Sequence, residues 1–283
     1  MDAVGQPQDS ASSVASTAAR PADVQSASVV ASVEEVKKDS GGPTNAALNK
    51  KNHRETWPYG NYRSYYSFRP ASSSSSATPD STAPPAVEPR LALLDPSLLA
   101  NKTLLDLGTN AGKIPLDALR YLGAKRIVGV DIDENLVEDA KALAAEQGYA
   151  VDDERVEFLA GDFMREGWFA AFDKERGQHQ FDVVSLFSVT KWLHLHNGDE
   201  GMRRLFCSLH AFMPPGGAVV VEPQEWENYK KAAKKNKDLR ETFKAIEMRP
   251  PFEQEMREAG FTLETRVERE EGGFSRPLLV WRK

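Results

Sequence analysis

The 283-residue chain is 40% hydrophobic and 28% charged, with 36 Lys and Arg against 42 Asp and Glu, a formal net charge of −6; the apolar share suffices for one substantial core, in about one to two domains of ~100–200 residues. The single cysteine, Cys207, excludes an internal disulfide and a multi-cysteine zinc site, and with them a disulfide-stapled secreted module. No apolar run approaches the ~20 residues that cross a bilayer and no signal-peptide pattern is seen, so neither membrane nor secretion is expected, while an acidic total still leaves room for a local basic site.

Residues 1–51 are dominated by Ala, Ser, Val, Pro and Gly with no aromatic side chain, too little apolar surface to offset the entropy of ordering, and read as a disordered tail. Residues 52–70 hold an aromatic and basic island, WPYGNYRSYYSFR over 57–69, too rich in rings for a spacer and too short to fold alone. The Ser/Pro-rich stretch 71–89 reads as a solvated insertion. From residue 90 to 283 apolar runs alternate with amphipathic stretches, the pattern of an α/β domain with a mostly parallel sheet. Strands are expected over 104–107, 126–130, 156–159, 181–187, 218–221, 262–267 and 278–281. Helices are expected over 114–121, 136–147, 200–212, 226–237 and 252–259. Cys207 falls on one of these helices and reads as a buried core residue.

The segment LLDLGTNAGK over 104–113 places Asp106 at a strand end and Gly108 and Gly112 in the turn that opens a helix, where small residues let the backbone approach a ligand. Its G-x-x-x-G spacing departs from the dinucleotide fingerprint and fits an ordinary strand-to-helix turn equally well. The next strand ends in GVDID over 129–133, which sets Asp131 where a carboxylate can accept from a ribose diol; the plain alternative is a helix N-cap. Asp162 in AGDF stands where an adenine amino group could be read, with Phe163 to cover the ring, or makes a local Asx-turn.

Asp-x-Gly, Asp and Asp-aromatic after three successive strands resemble the class I S-adenosylmethionine-dependent methyltransferases, a Rossmann-like fold. SLFSVTKWLHLHNGDEG over 185–201, VEPQEWENYK over 221–230, GGFSRPLLVW over 272–281 and YGNYRSYYSFR over 59–69 resemble, in order, four blocks of the RNA methylphosphate capping enzymes, the bicoid-interacting-protein family. The resemblance implies methyl transfer from S-adenosylmethionine to the terminal (γ) phosphate of a small noncoding RNA, with a nuclear or nucleocytoplasmic location and ribonucleoprotein proteins as further candidate partners. It implies cofactor contacts at Tyr66, Arg90, Gly108, Thr109, Asn110, Gly112, Asp131, Ile132, Asp162, Phe163 and Phe187. It implies RNA and phosphate contacts at Tyr65, Arg69, Lys191, Phe274 and Arg276, with Lys191, Arg69 and Arg276 as the catalytic set. Thr109 and His196 depart from the family's usual Cys and Asn.

The chemistry agrees. A terminal phosphate has a second pKa near ~6, so at neutral pH its oxygen is already an anionic nucleophile and no general base is needed; cations and a guanidinium fork suffice to hold it. No metal-ligand spacing is present and no metal is expected. The aromatic island reads as a lid, although packing alone would explain its rings. Lys230 to Lys237, KKAAKKNK, suits either RNA backbone contact or a solvated helix face. Two other functions remain open: a protein that binds and protects an RNA 5′ end, and a methyltransferase acting on a small molecule or protein.

Overall fold

The computed structural model describes residues 59–62, 87–177, 180–268 and 276–283. The tail 1–51, most of the aromatic island and residues 71–86 of the insertion lie outside them, whereas Val87 packs on the core and Glu88 is buried.

Among the described residues, β1 (Thr103–Leu107), β2 (Arg126–Asp131), β3 (Val156–Ala160), β4 (Val183–Phe187), β5 (Ala218–Glu222), β6 (Thr262–Val267) and β7 (Leu278–Arg282) form one sheet in the order β3-β2-β1-β4-β5-β7-β6. β1 to β5 run parallel, and β7 inserts antiparallel between β5 and β6. The inner strands are apolar at nearly every position because helices cover both faces. Side-chain alternation then sorts them into two layers. Leu105, Val128, Val184 and Val219 face α3 (Trp168–Arg176), α4 (Thr190–Phe212) and α5 (Trp226–Lys235), while Leu104, Ile127, Val183 and Val220 face α1 (Lys113–Tyr121) and α2 (Glu134–Glu146). The short α6 (Arg240–Ala245) and α7 (Glu253–Glu258) precede β6.

Strand order reverses between β1 and β4, which opens a crevice beyond the carboxyl ends of these two strands. Their register pairs Asp106 with Ser185, and Ser185 Oγ donates to Asp106 Oδ1 at 2.6 Å. Burial pushes the Asp106 carboxyl up to about 6.

Several expectations are corrected. α4 starts at Thr190 rather than residue 200, so Lys191 lies on the first turn of a helix and not in a loop. Gly198, at φ 64° and ψ −173°, breaks the helix internally and hid its first half in the sequence pattern. The break is braced by Asp199, whose carboxylate lies 2.7 Å from His194 Nε2 and accepts from the amides of Glu247 and Met248. The basic helix ends at Lys235, two residues short of the expected limit, and the chain turns into the unanticipated α6. α3, a short segment between two positive-φ glycines, Gly167 and Gly177, was not read as a helix. Cys207 is exposed, because the buried stripe of α4 runs through Met202, Leu205, Phe206 and Leu209 and leaves it on the outer side.

Candidate active site

A cavity of about 290 Å³ occupies the crevice, near the lower end of the ~300–1,000 Å³ usual for small-ligand sites. On one rim, the turn after β1 is drawn down by the amides of Gly108 and Thr109, both of which donate to Val130 O. Gly108 sits at φ +80°, and a Cβ there would lie 2.7 Å from Val189 Cγ2, so only glycine lets this turn pass beneath the β4 side. Asn110 N then donates to Asp131 Oδ2 at 2.8 Å, and Asp133 N to Asp131 Oδ1 at 3.1 Å. The α2 N-cap is Asp133, which accepts from Asn135 N, so Asp131 is not spent on capping and lines the cavity. Burial raises its pKa against the pull of the two amides. Asp162 also lines the cavity while accepting from Met164 N, so the Asx-turn and the cavity position coexist.

The other rim is the β4–α4 turn, with Ser188 at φ 58°. Its hydroxyl donates to Glu222 and accepts from Arg276 Nη1 at 2.9 Å. Arg90, 1% exposed, donates from Nη1 to Glu222 Oε2 at 2.8 Å and from Nε to Glu88 Oε1 at 2.7 Å. Its guanidinium carbon lies 5.1 Å from the centroid of Phe187. Gln224 ties the same turn: its carbonyl accepts from Lys191 N at 2.9 Å and from Thr190 Oγ1, and its amide donates to Ser188 O. The Lys191 ammonium lies 4.2 Å from the Trp192 ring centroid and pairs with no carboxylate among the described residues. Burial, then the positive charges of Arg276 and Lys235, push its pKa down to about 8.

The described part of the aromatic island, residues 59–62, lies along the cavity. Asn61 Nδ2 donates to Asp133 Oδ2 at 2.5 Å, Asn110 Nδ2 donates to Tyr62 O at 3.3 Å, and the Tyr59 ring lies tilted against His196 with centroids 4.8 Å apart. A Cβ on Gly60 would fall 1.9 Å from Trp192 Nε1, so the segment is seated directly on that indole.

Of the residues expected at the cofactor, the cavity is lined by Arg90, Gly108, Asn110, Asp131, Ile132, Asp162, Phe163 and Phe187. Thr109 and Gly112 do not line it. Thr109 is turned into the protein, where a Cβ on Gly129 would meet its Oγ1 at 2.7 Å, and a Cβ on Gly112 would meet Ala140 and Phe158; both shape the turn rather than the cavity wall. Lys191 and Arg276 do not line it but contact Trp192 and Ser188, which do. Tyr65, Tyr66, Arg69 and Phe274 lie outside the described residues. Sequence reasoning missed Ser188, Glu222 and Gln224, although polar residues directly past the ends of apolar strands β4 and β5 were a usable signal.

The strand order, with β7 turned against its neighbours and the cavity at the point of reversal, is that of the class I methyltransferases. Residues 104–217 match a family described as methyltransferase domain, and residues 181–283 match Bicoid-interacting protein 3 (Bin3). The chain is 32% identical to a U6 snRNA methylphosphate capping enzyme of Drosophila melanogaster, over 80% of this chain and 74% of the relative. It is 28% identical to a probable RNA methyltransferase of Arabidopsis thaliana over 83% of each, and 30% identical to an RNA 5′-monophosphate methyltransferase of Bos taurus over 64% of this chain and 63% of the relative. The chain belongs to the Bin3 family of methyltransferases.

Proposed function

We propose that this methyltransferase uses S-adenosylmethionine to methylate the 5′-terminal phosphate of a small RNA. The observation that carries the reading is the Lys191 ammonium, held with Arg276 beside the cavity and paired with no carboxylate among the described residues. A desolvated ammonium short of a counter-charge is a site for an anion, and a terminal phosphate supplies one. The names of the Drosophila and bovine relatives, a methylphosphate capping enzyme and a 5′-monophosphate methyltransferase, support the same acceptor.

The opposite rim fits the cofactor. Asp131 and Asp162 present carboxylates to the cavity, and the side-chain carbonyls of Asn61 and Asn110 are buried without a hydrogen-bond partner among the described residues. These acceptors suit the ribose hydroxyls, the adenine amino group and the ammonium of S-adenosylmethionine. When bound, the cofactor supplies a methyl group on a sulfonium. Asp131 would hold the ribose, Asp162 the adenine edge, and Ile132 and Phe163 the faces of the ring. Lys191 and Arg276 would fix the phosphate so that one anionic oxygen faces the methyl group, and positioning of this kind is worth ~7–11 kcal/mol. Ser188 keeps Arg276 in place through a hydroxyl itself anchored on Glu222.

The test is methyl transfer from labelled S-adenosylmethionine to one RNA oligonucleotide bearing a 5′-triphosphate, a 5′-monophosphate or a 5′-hydroxyl. Label is expected on a phosphate-ended RNA and absent from the hydroxyl-ended one. Equal labelling of all three would overturn the assignment.

A further inference from the structure

The packed face of α5 is made by Tyr229, Ala232 and Ala233. On its other side Lys230, Lys231, Lys234 and Lys235 are exposed, and Lys237 follows in the next turn, also exposed. None of the five pairs with a carboxylate among the described residues. Some exposed cations on other helices do pair: Lys141 with Glu138, Lys244 with Glu241, Arg257 with Glu253. In a chain of net charge −6, five exposed lysines between Lys230 and Lys237, against Glu227 as the acid of the same helix, concentrate positive charge at a self-repulsion cost. The helix is fixed at both ends. Gln224, which anchors Lys191 N, leads into it, and Arg240 donates to Ala233 O and Lys234 O at its far end.

We infer that the exposed lysine face of α5 and the following turn is a binding surface for the RNA chain behind the 5′ end, contacting its phosphates without reading its sequence. The proposal rests on the terminal-phosphate reading for its direction, because the face continues from the cation pair at the acceptor rim. Lys235 is close enough for its charge to act on Lys191. From Lys230 to Lys235 the helix rises ~7.5 Å, the scale of neighbouring phosphates along an RNA strand. A regularly spaced polyanion complements a row of ammonium groups carried on a fixed helix, and their flexible stems favour electrostatic contact over base readout.

The experiment uses the full chain and a labelled RNA of about twenty nucleotides, longer than the ~4–16 nucleotides of a typical single-strand site, in two forms, 5′-phosphate and 5′-hydroxyl. Fluorescence anisotropy would compare the native protein with a variant carrying Lys230→Gln, Lys231→Gln, Lys234→Gln and Lys237→Gln; Lys235 is kept because its charge bears on Lys191. The variant is expected to bind both RNAs about tenfold more weakly near physiological salt, with the slope of log affinity against log salt reduced by about 2. A second variant with Arg at the same four positions is expected to bind like the native protein. Equal affinities of the native and Gln proteins, or loss in the Arg variant as well, would overturn the surface. So would anionic phosphatidylserine vesicles that retain the native protein and release the Gln variant while RNA affinity is unchanged. Native protein that fails to distinguish the two RNA ends, while the Gln variant still loses affinity, would remove the terminal-phosphate reading and leave the surface standing.

Discussion

On the β1–β3 rim of the cavity, each carboxylate accepts from an amide two residues away: Asp131 from Asp133 N, Asp133 from Asn135 N and Asp162 from Met164 N. On the β4–β5 rim the partners lie far apart in the chain: Arg90 with Glu222, Ser188 with Arg276, Lys191 with Gln224. The first rim is built mainly from local turns repeated at successive strand ends, with two longer links, Asn110 N to Asp131 and Asn61 Nδ2 to Asp133. The second is one connected network in which Glu222 holds both Ser188 and Arg90. A change on the first rim should therefore act mainly on one ligand contact, and a change on the second should act through its neighbours, as Ser188 does on Arg276.

The largest effect is expected at Lys191. Lys191→Ala should lower methyl transfer to phosphate-ended RNA by orders of magnitude while leaving S-adenosylmethionine affinity, read by titration calorimetry, nearly unchanged. The rims would not be functionally separate if cofactor affinity fell with turnover. The pH profile sharpens the point. Above about 8 the Lys191 ammonium loses its proton, and below ~6 the phosphate loses its second charge, so kcat/KM should fall on both sides of neutral pH. Lys191→Arg, if it retains activity, should lose the alkaline limb, since a guanidinium stays protonated.

Asp131→Ala should weaken S-adenosylmethionine at least tenfold, since charge-assisted hydrogen bonds contribute ~1.5–3 kcal/mol each, with little change in RNA affinity. Unchanged cofactor affinity would move the ribose elsewhere. The smallest effect is expected from Ser188→Ala, which removes one hydrogen bond of Arg276 but neither cation. KM for phosphate-ended RNA should rise a few-fold with kcat nearly constant, and Ser188→Thr, which keeps the hydroxyl, should recover part of the loss. An unchanged KM in Ser188→Ala would show that Arg276 keeps its place without this contact.

The local rim was legible in the sequence because its signals are short. Asp131 and Asp162 each follow an apolar strand, and Gly108 sits in a turn that needs positive φ. A short helix segment beside an internal break was less legible: the eight residues before Gly198 offer too few turns to show a period, so the expected helix begins only at residue 200. The capping role weighed for Asp131 went to Asp133, two residues later in the same GVDID run, a choice made by the backbone path into α2.

The sequence by itself determined the fold class, the strand-end acids and the cationic residue types, because apolar periodicity and turn chemistry act over a few residues. Only the tertiary structure decided that Thr109 and Gly112 support the turn while Gly108 and Asn110 face the cavity. It alone joined Arg90 to Glu222 across 132 positions, and it left the lysines of α5 in no ion pair among the described residues. Such pairings depend on which strand ends the sheet order brings together, and that is settled by packing the two apolar layers, not by any segment's own preference.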